Sequence, residues 1–90
     1  MNLQVGEKRR ETRREADGGA HVRFADPYLC EIEGRLIDIS DSGFRMSHAC
    51  VSLAAGQVVE FSHSEAAGQA RVMWNRVIGG RVESGFLVVK

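Results

Sequence analysis

Ninety residues with twelve Lys/Arg, twelve Asp/Glu and two cysteines provide one domain and a modest core, with too little chain for a second domain or a deep catalytic cleft. Zero formal net charge argues against a general nucleic-acid coat, and no apolar run approaches a membrane span or an export signal. Cys30 and Cys50 match neither a zinc knuckle nor a disulfide-dense secreted scaffold, so a cytoplasmic location with reduced thiols and no cofactor is expected.

The charge is unevenly placed. Residues 1–7 read as a short polar tail, and the run Lys8-Arg9-Arg10-Glu11-Thr12-Arg13-Arg14 then carries five of the twelve basic residues. From Glu15 to Lys90 there are seven basic and ten acidic residues, a net of −3. A basic head on a mildly acidic body fits a local anion grip. Residues 8–19 lack apolar periodicity and end in Asp17-Gly18-Gly19, which predicts a mobile arm or a single helical turn followed by a break. Arginine recurs at a spacing of four, as Arg9/Arg13 and again as Arg10/Arg14. On a helical turn either pair would share a face and converge on one ligand.

Residues 20–90 switch to strands and turns. Alternation predicts strands over Ala20–Ala25 and Leu29–Ile39, with a turn at Asp26-Pro27 between them. The phase of the second run shifts toward its end, which predicts a bulge or bend near Gly34. Asp41-Ser42-Gly43 is turn chemistry, followed by a strand over Phe44–His48. Further strands are predicted over Val58–Phe61, Gln69–Trp74 and Gly85–Val89, with turns at Leu53–Gln57, Ala66-Ala67-Gly68 and Gly79-Gly80. Six short strands at this spacing predict an all-β fold, a six-stranded antiparallel barrel that closes on itself and so has no exposed edges.

Two signatures carry candidate chemistry. An arginine fork grips a phosphate or the Hoogsteen edge of a purine bidentately, and its plane stacks on a base. The second signature is Asp38-Ile39-Ser40-Asp41-Ser42-Gly43, an Asp-x-Ser-x-x-Gly segment at a strand end. A carboxylate at Asp38 accepts from the N1–H and N2–H₂ edge of guanine. Ser40 bonds a ligand or pins the turn, and Gly43 allows positive φ or a close backbone approach. Taken singly, a basic run is commonly a solvated tail and Asp-x-Ser-x-x-Gly a capped strand-to-turn link. Their order on an all-β body points to a split site for a small anionic guanine nucleotide.

The combination resembles the PilZ domain family, bacterial receptors for cyclic di-GMP. The resemblance rests on Arg-x-x-x-Arg (Arg9/Arg13 or Arg10/Arg14) and on Asp38-x-Ser40-x-x-Gly43. Ala70-Arg71-Val72-Met73-Trp74 and Ser84-Gly85-Phe86 add to it, so that it spans about Lys8 to Val89. It implies a single PilZ domain over residues 8–90, arm 8–19 and barrel 20–90. It also implies a stand-alone, non-catalytic receptor or adaptor whose arm and partner contacts change when cyclic di-GMP binds. The site residues carried over are Arg9, Arg10, Arg13, Arg14, Asp38, Ser40 and Gly43, with the arginine register left open. Trp74 is expected in the core rather than on the ligand surface, and Arg45 as a solvated strand arginine. Many relatives add a C-terminal helix where this sequence stops at Lys90, which would leave a rim for a homodimer partner or a downstream protein to cover.

Three other classes have different signatures. A PilZ-like protein-interaction module would bind no nucleotide. A single-stranded nucleic-acid binder needs aromatics spread over a basic face, whereas Phe24, Tyr28, Phe44, Phe61, Trp74 and Phe86 are scattered on an acidic body. An enzyme needs a nucleophile or metal spacing that His21, His48 and His63 lack, and His48-x-Cys50 has no companion ligand pair.

Overall fold

The structure, a computed structural model, describes residues 12–25 and 28–90. Arg9, Arg10 and the expected turn at Asp26-Pro27 lie outside the described residues. Seven strands follow in chain order: β1 (Arg14–Glu15), β2 (Gly19–Ala25), β3 (Leu29–Ile39), β4 (Gly43–His48), β5 (Val58–His63), β6 (Ala66–Ile78) and β7 (Arg81–Val89). Their order is β1-β3-β2-β5-β6-β7-β4, every pair is antiparallel, and β4 pairs back onto β3. Strands β2 to β7 therefore form a closed six-stranded barrel, and β1 is an extra short strand laid on β3. No helix is present among the described residues, so none is long and apolar enough to cross a membrane.

Alternation builds the core. In β2, Ala20, Val22 and Phe24 point inward while His21, Arg23 and Ala25 do not. Met46 of β4 and Val72 of β6 are fully buried. Phe44 stacks on Phe86 at 4.6 Å between ring centroids and tilts against Phe61 at 4.8 Å, tying β4, β5 and β7 across the barrel interior. One polar seam runs from the buried His48 and Ser84 out to the exposed Asn75. The buried His48 ring accepts the Cys50 amide at Nδ1 (3.0 Å), so the neutral ring carries its proton on Nε2, 2.7 Å from Ser84 Oγ. Ser84 in turn donates to Asn75 Oδ1, and Asn75 Nδ2 donates to the Leu53 carbonyl. Burial and the charge of Arg81 push the His48 pKa below its ordinary value.

Three local expectations differ from the structure. Residues 14–15 form a strand rather than a helical turn, because Arg14 and Glu15 take ladder positions opposite Ile39 and Asp38. Ala66, Ala67 and Gly68 belong to β6, and the turn before it is Ser64-Glu65, so the small residues continue the ladder opposite His63, Ser62 and Phe61. The bulge of β3 lies between Leu36 and Asp38 rather than near Gly34. Gly79 and Gly80 do form the last turn, at φ +57° and +86°, the pair of positive angles that a two-residue hairpin loop demands.

Candidate functional site

Two bulges decide what the outer face of the barrel presents. In β3, Ile32 and Leu36 point inward, and strict alternation would send Asp38 inward and Ile39 out. The register shift between Leu36 and Asp38 reverses this, so Ile39 joins the core and Asp38 faces out opposite Arg45 of β4. In β6, Ala70 and Val72 point inward, and a second shift between Val72 and Trp74 turns the indole outward opposite Gly85. Arg45 is itself opposite Gly85. Directly opposed residues share a face, so Asp38, Arg45, Gly85 and Trp74 form one row across β3, β4, β7 and β6.

Asp38 faces outward but its side chain is only 8% exposed, because two guanidiniums cover it. Arg45 Nε lies 3.0 Å from both carboxylate oxygens and its Nη2 donates to Oδ2, a fork on one carboxylate. Arg13, just ahead of β1, donates from Nη1 to Oδ1 at 3.0 Å. Burial pushes the Asp38 carboxyl up, but the Arg45 hydrogen bond and charge, with those of Arg13, outweigh it and hold the pKa below the ordinary carboxylate value. The same bond to Asp38 raises Arg45. The carboxylate is therefore ionised and held between two cations.

Around this triad lies a cleft of about 660 Å³ lined by Arg13, Arg14, Ala16, Asp17, Asp38 and Arg45, among others. A smaller pocket of about 400 Å³ adjoins it through Arg45 and is lined by Trp74, Asn75 and Arg76. Trp74 lies flat over Gly85, where a Cβ would fall 2.3 Å from indole Nε1. The Arg76 guanidinium sits 5.7 Å from the indole centroid. Across the barrel, a groove of about 470 Å³ on β2, β5 and β6 has its arginine, Arg23, already bonded to Glu60 at 2.6 Å and offers no second guanidinium among the described residues.

The other expected site residues are divided among roles. Arg14 forks onto Glu65 at 2.6 and 3.1 Å, away from Asp38, although it lines the cleft wall. The Glu65 bond and charge raise its pKa. Ser40 is buried. Its amide donates to the Gly43 carbonyl at 2.8 Å and its Oγ lies 3.4 Å from the same oxygen, so it pins the β3–β4 turn. Gly43 is not at positive φ. It is required by close approach, since a Cβ there would fall 1.9 Å from the Phe86 carbonyl oxygen. Asp38 and Arg13 thus meet in space, while Ser40 and Gly43 shape the turn that aims Asp38.

Two expectations are corrected here. Trp74 is 36% exposed on the outer face because the β6 bulge takes it out of the core. Arg45 is not a solvated strand arginine but the main partner of Asp38. Its sequence signal was alternation from Gly43, which puts positions 43, 45 and 47 on the outer face, but its partner depended on the bulge in β3. Among the described residues no three His, Cys, Asp or Glu side chains are grouped to hold a metal ion. No family model matches the chain, and no curated protein matches it significantly.

Proposed function

We propose that this chain is a PilZ-type receptor that binds cyclic di-GMP on the outer face of its barrel and acts without catalysis. The observation that carries the reading is the ionised, mostly covered Asp38 between Arg13 and Arg45 at the wall of a cleft of about 660 Å³. A guanine offers N1–H and N2–H₂, the donor pair that a carboxylate accepts. On ligand entry the guanine edge takes the Asp38 Oδ1 position now held by Arg13. Arg45 keeps the carboxylate aimed through its fork, and the released Arg13 guanidinium turns to a phosphate or to the Hoogsteen edge.

The exchange suits Arg13 better than Arg45. Arg13 contributes one hydrogen bond from a side chain that is 46% exposed, whereas Arg45 is 30% exposed and forked. The Trp74 indole and the Arg76 guanidinium, next to Arg45, supply flat surfaces for a second base of the same ligand. A charge-assisted hydrogen bond returns about 1.5–3 kcal/mol, so a few of them outweigh the ordering of the arm and bring the affinity near micromolar, about −8 kcal/mol. The arginine pair most consistent with this arrangement is Arg9/Arg13, because Arg14 is engaged by Glu65.

Calorimetric titration with cyclic di-GMP, beside cyclic di-AMP and GTP, tests the reading. Saturable heat with cyclic di-GMP and none with the other two supports it. Absence of heat with cyclic di-GMP at protein concentrations well above micromolar refutes it and leaves the protein-interaction reading.

A further inference from the structure

A closed barrel has no free edge, but β6 runs further than the strand beside it. The β5 ladder ends at Val58 opposite Arg71, and the last bonds on that side join Val72 to Gly56 and Gln57. From Trp74 to Ile78, β6 pairs only with β7, and Met73 at the bulge takes no position in either neighbouring ladder. On the other side no strand among the described residues covers it. Past the bulge at Met73 this edge is regular. Ile78 and Arg81 flank the two-residue Gly79-Gly80 loop, so they exchange their backbone bonds with each other. Counting back, Val77 and Asn75 turn their N–H and C=O outward, away from β7.

Natural edges are blunted with lysine, proline or a very short length. This one has neither lysine nor proline, and it exposes Met73 (50%), Val77 (69%) and Ile78 (46%). Its only charged side chain is Arg76, bonded to Glu83 on the β7 side.

We propose that the open edge of β6 pairs antiparallel with the same edge of a second copy of this chain, about a two-fold axis at Asn75. Self-complementarity selects this occupant. With Asn75 opposite Asn75 of the second copy, Trp74 meets Arg76 on the outer face. A guanidinium then faces an indole on each side of the axis, the pairing that Arg76 and Trp74 already make within one chain. A register centred on Arg76 would set two guanidiniums face to face, which the repulsion of directly opposed like charges disfavours. Asn75 and Val77 supply outward backbone groups in the chosen register. The interface is isologous, joining two barrels into one continuous sheet. Its shortness makes the dimer a weak one that forms with rising concentration.

The test needs no nucleotide and is independent of the nucleotide reading. Sedimentation velocity over about 1 µM to 1 mM, the range where weak complexes form, is expected to shift from monomer to dimer. Val77→Pro removes an N–H that the β6–β7 ladder does not use, and edge strands tolerate proline where the N–H faces solvent. It is expected to weaken the dimer at least about tenfold with an unchanged far-UV spectrum. Amide exchange at Asn75 and Val77 is expected to slow with concentration, whereas Arg76 and Ile78, whose amides face β7, stay constant. A chain that remains monomeric throughout overturns the proposal. So does a dimer that Val77→Pro leaves intact or that fails to protect those two amides.

Discussion

Arg45→Ala tests whether the outer-face triad is built as described. The substitution removes the fork from a carboxylate that is 8% exposed and leaves Arg13 as its one remaining cationic partner among the described residues. Losing charge-assisted hydrogen bonds to a covered carboxylate costs about 1.5–3 kcal/mol. The larger cost of a fully orphaned buried charge, about 3–5 kcal/mol, is not reached because Arg13 stays. We expect a loss of about 2–3 kcal/mol, which for a domain of this size lowers Tm by roughly 10–20 °C. Arg13→Ala removes a single bond from a side chain 46% exposed, where solvent screening applies, and is expected to cost at most about 1 kcal/mol. Urea denaturation of both variants and of each combined with Asp38→Ala completes the cycle. The Asp38 pKa is lowered on folding, so the contribution is fully present above the unfolded value of about 3.9 and is lost as pH falls through the folded value. The cost of Arg45→Ala is accordingly expected to shrink below about pH 4. Equal costs for Arg13→Ala and Arg45→Ala, or an Arg45→Ala cost that survives unchanged in the Asp38→Ala background, would refute the reasoning.

Other outcomes follow from the same geometry. If the cleft takes cyclic di-GMP, Arg13→Ala weakens binding at least about tenfold while Arg14→Ala stays within about threefold, as measured by titration. The reverse order would assign the site to the Arg10/Arg14 register. Gly85→Ala places a Cβ 2.3 Å from the Trp74 indole and is expected to shift tryptophan emission to the red as the ring lifts off β7, with a stability loss of about 1–3 kcal/mol. An unshifted spectrum would mean that the indole does not rest on Gly85. Ser84→Ala breaks the His48–Ser84–Asn75 seam and is expected to cost about 1–3 kcal/mol in chemical denaturation. Because burial lowers the His48 pKa, its contribution is complete above the unfolded value of about 6.5 and declines below it. An NMR titration in which His48 protonates above that value would contradict the seam.

Much of the barrel was legible because inward and outward residues alternate locally. The strands around Val22, Met46, Val59 and Val72 fall where that alternation put them. Gly79-Gly80 and Asp41-Ser42 marked turns through their own backbone preferences, whereas Gly43 already belongs to β4. Ala66-Ala67-Gly68 misled, since small residues signal a turn only when no neighbouring strand claims them, and β5 does. The helical-turn alternative for the arm failed at residues 14–15 for the same reason. Arg14 and Glu15 carry no strand pattern of their own and are extended because β3 offers a ladder opposite Asp38 and Ile39.

By itself the sequence determined an all-β chain of six main strands, a basic segment ahead of them, and an acidic residue and a glycine framing the β3–β4 turn. These are properties of single segments, written in alternation and turn chemistry. Tertiary structure alone decided which side chains share a face. Bulges at Leu36–Asp38 and Val72–Trp74 exist only relative to partner strands, and they take Asp38 and Trp74 out of the interior that strict alternation assigns them. Cross-strand register then set Arg45 against Asp38, and the lie of the arm separated Arg13 from Arg14. Pairing between distant segments has no local trace, so only the closed barrel could assemble the row Asp38, Arg45, Gly85 and Trp74.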